Sequence, residues 1–405
     1  MRLRAFRAWR PIESLAHKIA SPPYDVITTE EARSLVQNNL LSMLRVIRAE
    51  VDFPPKTDPF SDAVYKTACR NFDDLKEKGS LIRDPNPCLY LYQQQMGNHI
   101  QCGVVALCHI TDYEKDLIKK HEKTRQDKED DRTRLMSDLS ANPGPVFLTY
   151  HDRPEVDSII SNTKKASPLY NFTAEDGIHH SVWQVPEPDK LINVFGSVPR
   201  LYVADGHHRT AGATRVAKMR RAANPHHTGL EDYNWFLSVL FPASQLMILP
   251  YNRIVKKLNG LSAKDYLEKV KTSCKIQLGA NPKPNRSGTV AMYLEREWHL
   301  LCLGPPKCDS PVSRLDMSIL EHRILTPILG IDDQRSSTNI EFIGGIDSIE
   351  KIMSKVDSGE AAAGFSLFPV DINQLMEIAD SGKNMPPKTT WFEPKLRSGL
   401  FIHTF

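Results

Sequence analysis

Apolar and polar positions along the chain switch repeatedly between a two-residue rhythm and a three-to-four-residue rhythm. These are the periods of a half-buried strand and of an amphipathic helix. Thr28-Thr29-Glu30-Glu31 sets a hydroxyl ahead of acidic first-turn residues and predicts a helix over 30–38. Residues 42–47 read as a strand, and 65–78 as an amphipathic helix stopped by Gly79. Strand-like runs at 88–95 and 100–110 flank Met96-Gly97-Asn98-His99 and predict a hairpin. Further strands are expected at 144–150, 181–185, 201–204, 235–241 and 247–251, with a helix over 210–223. The remaining third carries a helix at 263–273, a hairpin of 290–294 with 299–303, and a helix at 317–325. A strand across 337–345 then runs into a glycine turn, followed by a helix at 347–356, a strand at 361–368 and a helix at 372–381. Helices and strands mixed in this way predict the α+β class.

Length and composition narrow the possibilities. The 405 residues exceed one typical core. Three domains are expected: 1–110, 111–250 and 251–405. A net charge of +3 argues against nucleic acid and anionic membrane as partners. The 7 Cys are scattered, odd in number and form no C-x-x-C pair. That pattern indicates neither a zinc site nor a disulfide framework, and reduced thiols in a cytoplasmic protein fit better. The basic start, Met1 to Pro11, lacks the apolar run of a signal peptide, and no stretch approaches the length of a membrane span.

The candidate chemistry centres on Arg200 to Ala213. Leu201-Tyr202-Val203-Ala204 is a short apolar strand that turns through Asp205-Gly206 into His207-His208-Arg209-Thr210 at a helix start. Free N–H groups and the helix dipole attract phosphate there, Arg209 can grip two oxygens, and Asp205 can hold a divalent cation. His121-Glu122-x-Thr124-Arg125 stands at the head of a densely charged stretch and offers Glu122 as a general base beside a His and a cation. Pro386-Pro387-Lys388-Thr389-Thr390 is a proline-stiffened loop ending in Lys and two hydroxyls, a candidate ligand loop. Pro22 and Pro23 fix an extended path in Ser21-Pro-Pro-Tyr-Asp-Val-Ile27. His226-His227 sits in a polar loop without a third metal ligand.

Three of these motifs carry a resemblance. Ser-Pro-Pro-Tyr-Asp-Val-Ile at 21–27, His-Glu-x-Thr at 121–124 and Asp-Gly-His-His-Arg at 205–209 together resemble the DUF1015 family, within the ParB/sulfiredoxin superfamily. The resemblance implies a ParB/sulfiredoxin-like mixed core at 111–250, with added N-terminal and C-terminal α/β subdomains. It also implies an activity like that of free L-serine kinases, which use ADP or ATP with Mg²⁺. On that pattern Glu122 is the base, and Asp205, Gly206, His207, His208, Arg209 and Thr210 hold phosphate, with Asp205 as metal ligand and His207 taking part in catalysis. Lys388, Thr389 and Thr390 match a Pro-Lys-Thr-Thr of the archaeal serine kinases. The Arg and His that follow there are Trp391-Phe392-Glu393 here. The carboxylate-binding Arg is therefore missing from its place, with Lys395 and Arg397 as possible substitutes. Sulfiredoxins carry a reactive Cys in the corresponding box, and here His207 stands in its place.

The leading expectation is a nucleotide-dependent phosphotransferase acting on free serine or a related small hydroxylated metabolite. The rivals are a non-catalytic nucleotide switch of ParB type, which needs the phosphate loop but not Glu122, and a nucleotide hydrolase. No helix-turn-helix pattern adjoins the box, which speaks against a DNA-linked switch.

Overall fold

The computed structural model describes residues 1–405 and resolves into two compact units. Unit 1 is Met1–Lys120, Thr124–Leu246 and Pro394–Phe405; unit 2 is His121–Lys123 and Met247–Glu393. Helices and mixed sheets place the protein in the α+β class.

Unit 1 is built on a nine-stranded sheet. Its strands are β1 (Leu3–Arg4), β2 (Tyr90–Met96), β3 (His99–His109), β4 (Ile118–Lys119), β5 (Val146–Tyr150), β6 (Tyr170–Thr173), β7 (His179–Gln184), β8 (Leu201–Asp205) and β9 (Trp235–Pro242). The order is β4-β8-β5-β9-β3-β2-β7-β6, with β1 paired to β3. The β8–β4 and β9–β5 pairs are parallel and the rest antiparallel. The expected hairpin is β2–β3, turned at Gly97 with φ +57°.

The expected separation at residue 110 does not appear. β3 is buried along nearly all its length, so its backbone needs a partner on both edges. β2 takes one edge. β9 takes the other, from Trp235 opposite His109 to Leu240 opposite Val104. Residues on both sides of 110 therefore share one sheet and one apolar core, including Leu91, Val104, Leu148, Val203 and Leu240.

A second core in unit 1 is largely helical. It gathers Ile19, Tyr24, Val64, Phe72, Leu135 and Ile402 around α1 (Asp62–Glu77) and α2 (Gln126–Leu139). Residues 42–47, expected as a strand, contain instead a single helical turn, Leu44–Ile47. A short apolar run does not distinguish a strand from a buried helical turn, and this one packs on α1. α3 (His207–Ala223) lies against α2. Gly212 permits the approach, since a Cβ there would stand 2.7 Å from Met136 Cε and 3.2 Å from the Thr133 backbone nitrogen.

The C-terminal segment returns to unit 1. Ser398 and Ser21 exchange backbone hydrogen bonds of 2.9 and 3.1 Å, so the Ser-Pro-Pro-Tyr segment is tied to the chain end. Tyr24 of that segment is buried under the Arg132 guanidinium, 3.9 Å from its ring centroid.

In unit 2, β10 (Met247–Pro250) enters and pairs antiparallel with β17 (Thr390–Glu393), which leaves. Between them lies an antiparallel six-stranded sheet of β11 (Asn252–Val255), β12 (Lys275–Leu278), β13 (Thr289–Leu294), β14 (Glu297–Cys302), β15 (Ile340–Ile343) and β16 (Ala363–Leu367). Its order is β12-β14-β13-β16-β11-β15. The helix expected over 317–325 is regular only across Asp316–Leu320 and widens to a π turn over Glu321–Leu325. No helix of the protein is long and apolar enough to cross a membrane.

Candidate functional site

The Asp-Gly-His-His-Arg loop belongs to unit 1. The β8–β5 register slips between Val203 and Asp205, an irregularity of the kind that re-aims a side chain at a strand end. Gly206 follows with φ +96°, a conformation that disfavours any side chain. An added Cβ would also meet the Arg209 guanidinium at 3.0–3.1 Å. Gly206 caps α3, so His207, His208 and Arg209 form the first turn of a 17-residue helix, starting earlier than the expected 210. A helix start directs N–H groups and the positive end of its dipole outward, which favours an anion.

Each side chain of the loop then takes its own place. Arg209 is buried at 8% exposure. One of its terminal nitrogens donates to the Pro145 carbonyl, and the other lies 3.4 Å from Asp205 Oδ2. Arg209 thus ties the loop to the start of β5, while its Nε makes no hydrogen bond. His208 Nε2 accepts the backbone N–H of Arg125 at 3.0 Å, which leaves Nδ1 to carry the proton of the neutral ring. Thr210, expected among the phosphate-binding residues, is fully buried and gives its hydroxyl to the Gly206 carbonyl at 3.1 Å. Its hydroxyl proton stabilises the helix start.

Sequence reasoning had no means of placing Lys395 here. Its Nζ stands 3.6 Å from Asp205 Oδ2, with the side chain 11% exposed. Two glutamines of the hairpin, both fully buried, put it there: Gln94 Nε2 donates to the Lys395 carbonyl at 2.9 Å, and Gln101 Nε2 to the Pro394 carbonyl at 3.5 Å. Arg397 is committed elsewhere, to Asp176 and, through Nε at 3.2 Å, to His180 Nε2. Of the two substitutes for the missing carboxylate-binding Arg, only Lys395 sits by the loop.

The other expected residues gather in unit 2. His121-Glu122-Lys123 is held to its C-terminal loop: the His121 carbonyl accepts Met385 N–H at 2.8 Å, and His121 Nε2 lies 3.4 Å from Thr390 Oγ1. Lys388 adopts a left-handed backbone, φ +53°, with its Nζ 5.5 Å from the Tyr251 ring centroid. Arg253 organises this loop. The guanidinium is fully buried in β11 and donates to the carbonyls of Pro387 at 2.8 Å, Lys388 at 2.9 Å and Tyr251 at 2.7 Å, and to Gln334 Oε1 at 3.0 Å. Burial disfavours its charge; the nearby Tyr251, Glu321 and Glu122 act the other way. Burial likewise raises the Tyr251 phenol, against the pull of Lys388. Arg253 gave one local signal, a charged residue directly ahead of the apolar Ile254-Val255. Trp391 packs on Tyr251 at 5.1 Å, and a Cβ at Gly344 would lie 2.1 Å from its ring. His226 and His227 are exposed, and His227 bonds to Tyr233 and Glu231.

A family model described as "Protein of unknown function (DUF1015)" matches residues 3–318. The chain belongs to the DUF1015 family. The matched span carries Glu122, the Asp205–Arg209 loop and Arg253, while Lys388–Thr390 and Lys395 lie beyond it. Curated proteins offer no significant sequence match to this DUF1015 member. Solved structures similar to it include a conserved hypothetical protein from Pyrococcus furiosus, at 13% identity and TM-score 0.37, covering 73% of this chain and 94% of that one. A free serine kinase in complex with AMP is similar at 14% identity and TM-score 0.37, with 73% and 91% covered. SbnI with a C-terminal truncation, from Staphylococcus aureus, is similar at 11% identity and TM-score 0.39, with 74% and 87% covered.

Proposed function

We propose that this DUF1015 protein is a phosphotransferase that moves a phosphoryl group from ADP or ATP to the hydroxyl of a small metabolite. The observation that carries the reading is the Asp205–Arg209 loop: a strand end, a left-handed glycine and a helix start, with Arg209 and Lys395 both beside Asp205. Arg209, Lys395 and the helix dipole supply positive potential at the loop, which suits a phosphate chain. His207 and His208 add imidazoles on the same turn.

In the proposed reaction the bond from phosphorus to the nucleotide's bridging oxygen breaks, and one to the acceptor oxygen forms. The acceptor's proton passes to Glu122, and the nucleotide leaves one phosphate shorter. Such transfers ask the protein mainly for positioning and charge neutralisation. Asp205 faces Arg209 and Lys395, which compete with a metal for its oxygens, so a Mg²⁺ would have to arrive on the nucleotide's phosphates, with Asp205 offering one carboxylate oxygen. Such an ion would supply charge neutralisation on the phosphates. Arg209 acts by holding the loop, Lys395 by its charge, and Lys388 and Thr390 are assigned to the acceptor.

Glu122→Gln tests the assignment. A general base contributes ~10²–10⁴-fold to rate and little to ground-state binding. The variant is expected to bind ADP or ATP as the parent does and to transfer phosphate at least a hundredfold more slowly, read by mass spectrometry of products from serine and a panel of hydroxy compounds. Equal turnover in both proteins would refute the role of Glu122.

A further inference from the structure

Asp316, at the start of the helix Asp316–Leu320, is a carboxylate buried to 8% exposure in unit 2. Its Oδ1 accepts two hydrogen bonds, from Ser287 Oγ at 3.0 Å and the Gly288 N–H at 2.8 Å. It enters no ion pair, and no charged side chain offsets it; burial accordingly raises its carboxyl above the ordinary range. A buried anion without a cation is costly. The side chain lines a small pocket of about 20 Å³, room for one group the size of an ammonium, shared with Tyr251, Ser287, Leu367, Gln374 and Thr389. Thr389 gives its hydroxyl proton to the Pro386 carbonyl at 2.6 Å, so only its lone pairs remain to be offered. Carboxylate and hydroxyl lone pairs are what an ammonium group, with donors and no acceptor, requires.

We propose that this cavity binds a primary ammonium group, with Asp316 as its counter-ion and Thr389 Oγ1 as a second acceptor. Because Thr389 belongs to the ligand loop, the proposal deepens the phosphotransferase reading and rests on it in one respect: the ammonium belongs to the phosphoryl acceptor, which is then an amino alcohol. A purely structural Asp316 would tie the 287–288 turn to its helix. That role uses Oδ1 alone, and an asparagine oxygen fulfils it equally. Charge is what separates the two.

The experiment titrates the full chain with ethanolamine and with ethylene glycol, which differ by an ammonium for a hydroxyl, and follows heat of binding. Ethanolamine is expected to bind the parent at least tenfold more tightly, and Asp316→Asn to lose that preference while keeping its urea midpoint. No preference in the parent, or the same preference in Asp316→Asn, overturns the site. A measurement independent of the variant is competition in the parent: ammonium chloride is expected to displace ethanolamine, and sodium chloride at equal ionic strength to leave it bound. Equal displacement by both salts also overturns the site. A parallel ADP titration keeps the two readings apart. Loss of ADP binding with the ethanolamine preference intact overturns the phosphotransferase and supports the ammonium site.

Discussion

Unit 1 buries three histidines whose protonation the fold opposes, and this predicts acid sensitivity with a defined onset. His109 is pushed down to about 4, chiefly by burial, then by Arg2. His403 is pushed down to about 4, again chiefly by burial, and His180 to about 2 by burial and Arg397. The geometry at His180 explains the last value. Arg397 can only donate, so His180 Nε2 must accept its N–H, and the ring's own proton sits on Nδ1, bonded to Tyr92 Oη at 2.9 Å. A second proton on Nε2 would face that N–H directly. Unfolded histidine titrates near 6.5, so the unfolded chain takes up protons that the folded one refuses as pH falls below that value. The stability is therefore complete above 6.5 and is lost as pH falls toward 4. At pH 5 each such histidine costs about 2 kcal/mol, a figure nearly independent of the folded value once it is 4 or below. The three together cost roughly 6 kcal/mol at most, comparable with the whole stability of a domain. Asp157, raised by burial and Asp152, offsets a small part. Urea unfolding followed by circular dichroism at pH 7.5 and pH 5 reads the loss. His180→Gln keeps an acceptor for Arg397 and cannot titrate, so its loss over the same interval should be smaller by about 2 kcal/mol. An identical loss in parent and variant would refute the reasoning.

Two further outcomes follow from the site. Arg253→Lys keeps the charge but loses the fork that spans Pro387, Lys388, Tyr251 and Gln334. It should destabilise unit 2 by about 1.5–3 kcal/mol and raise amide exchange around 388–390, measured by urea titration and hydrogen exchange; unchanged exchange would count against its hold on the loop. Lys395→Gln removes one of two cations beside Asp205 and should weaken ADP or ATP binding about tenfold by calorimetry, with the melting point kept. Unaltered affinity would place Lys395 outside the phosphate site.

What the sequence settled is local. The hairpin at Gly97 was legible because alternation and a glycine turn act within a dozen residues, and the helix after Asp205-Gly206 because its rhythm is its own. Its rhythm shows only from Thr210, since His207–Arg209 have no apolar periodicity, and the glycine turn is what puts them on the first turn. Residues 42–47 failed as a strand because a short apolar run says that a segment is buried and not what covers it. Tertiary structure decided the rest. β3 needed partners on two edges and so joined segments on either side of residue 110. Buried Gln94 and Gln101 drew the chain end back and set Lys395 beside Asp205, far from it in sequence. His121-Glu122-Lys123 joined unit 2 through Met385 and Thr390, and Arg253 shaped a loop more than a hundred positions away. Hydrogen-bond satisfaction of buried polar groups made these long-range choices, and a pattern of apolar positions does not record where such groups find their partners.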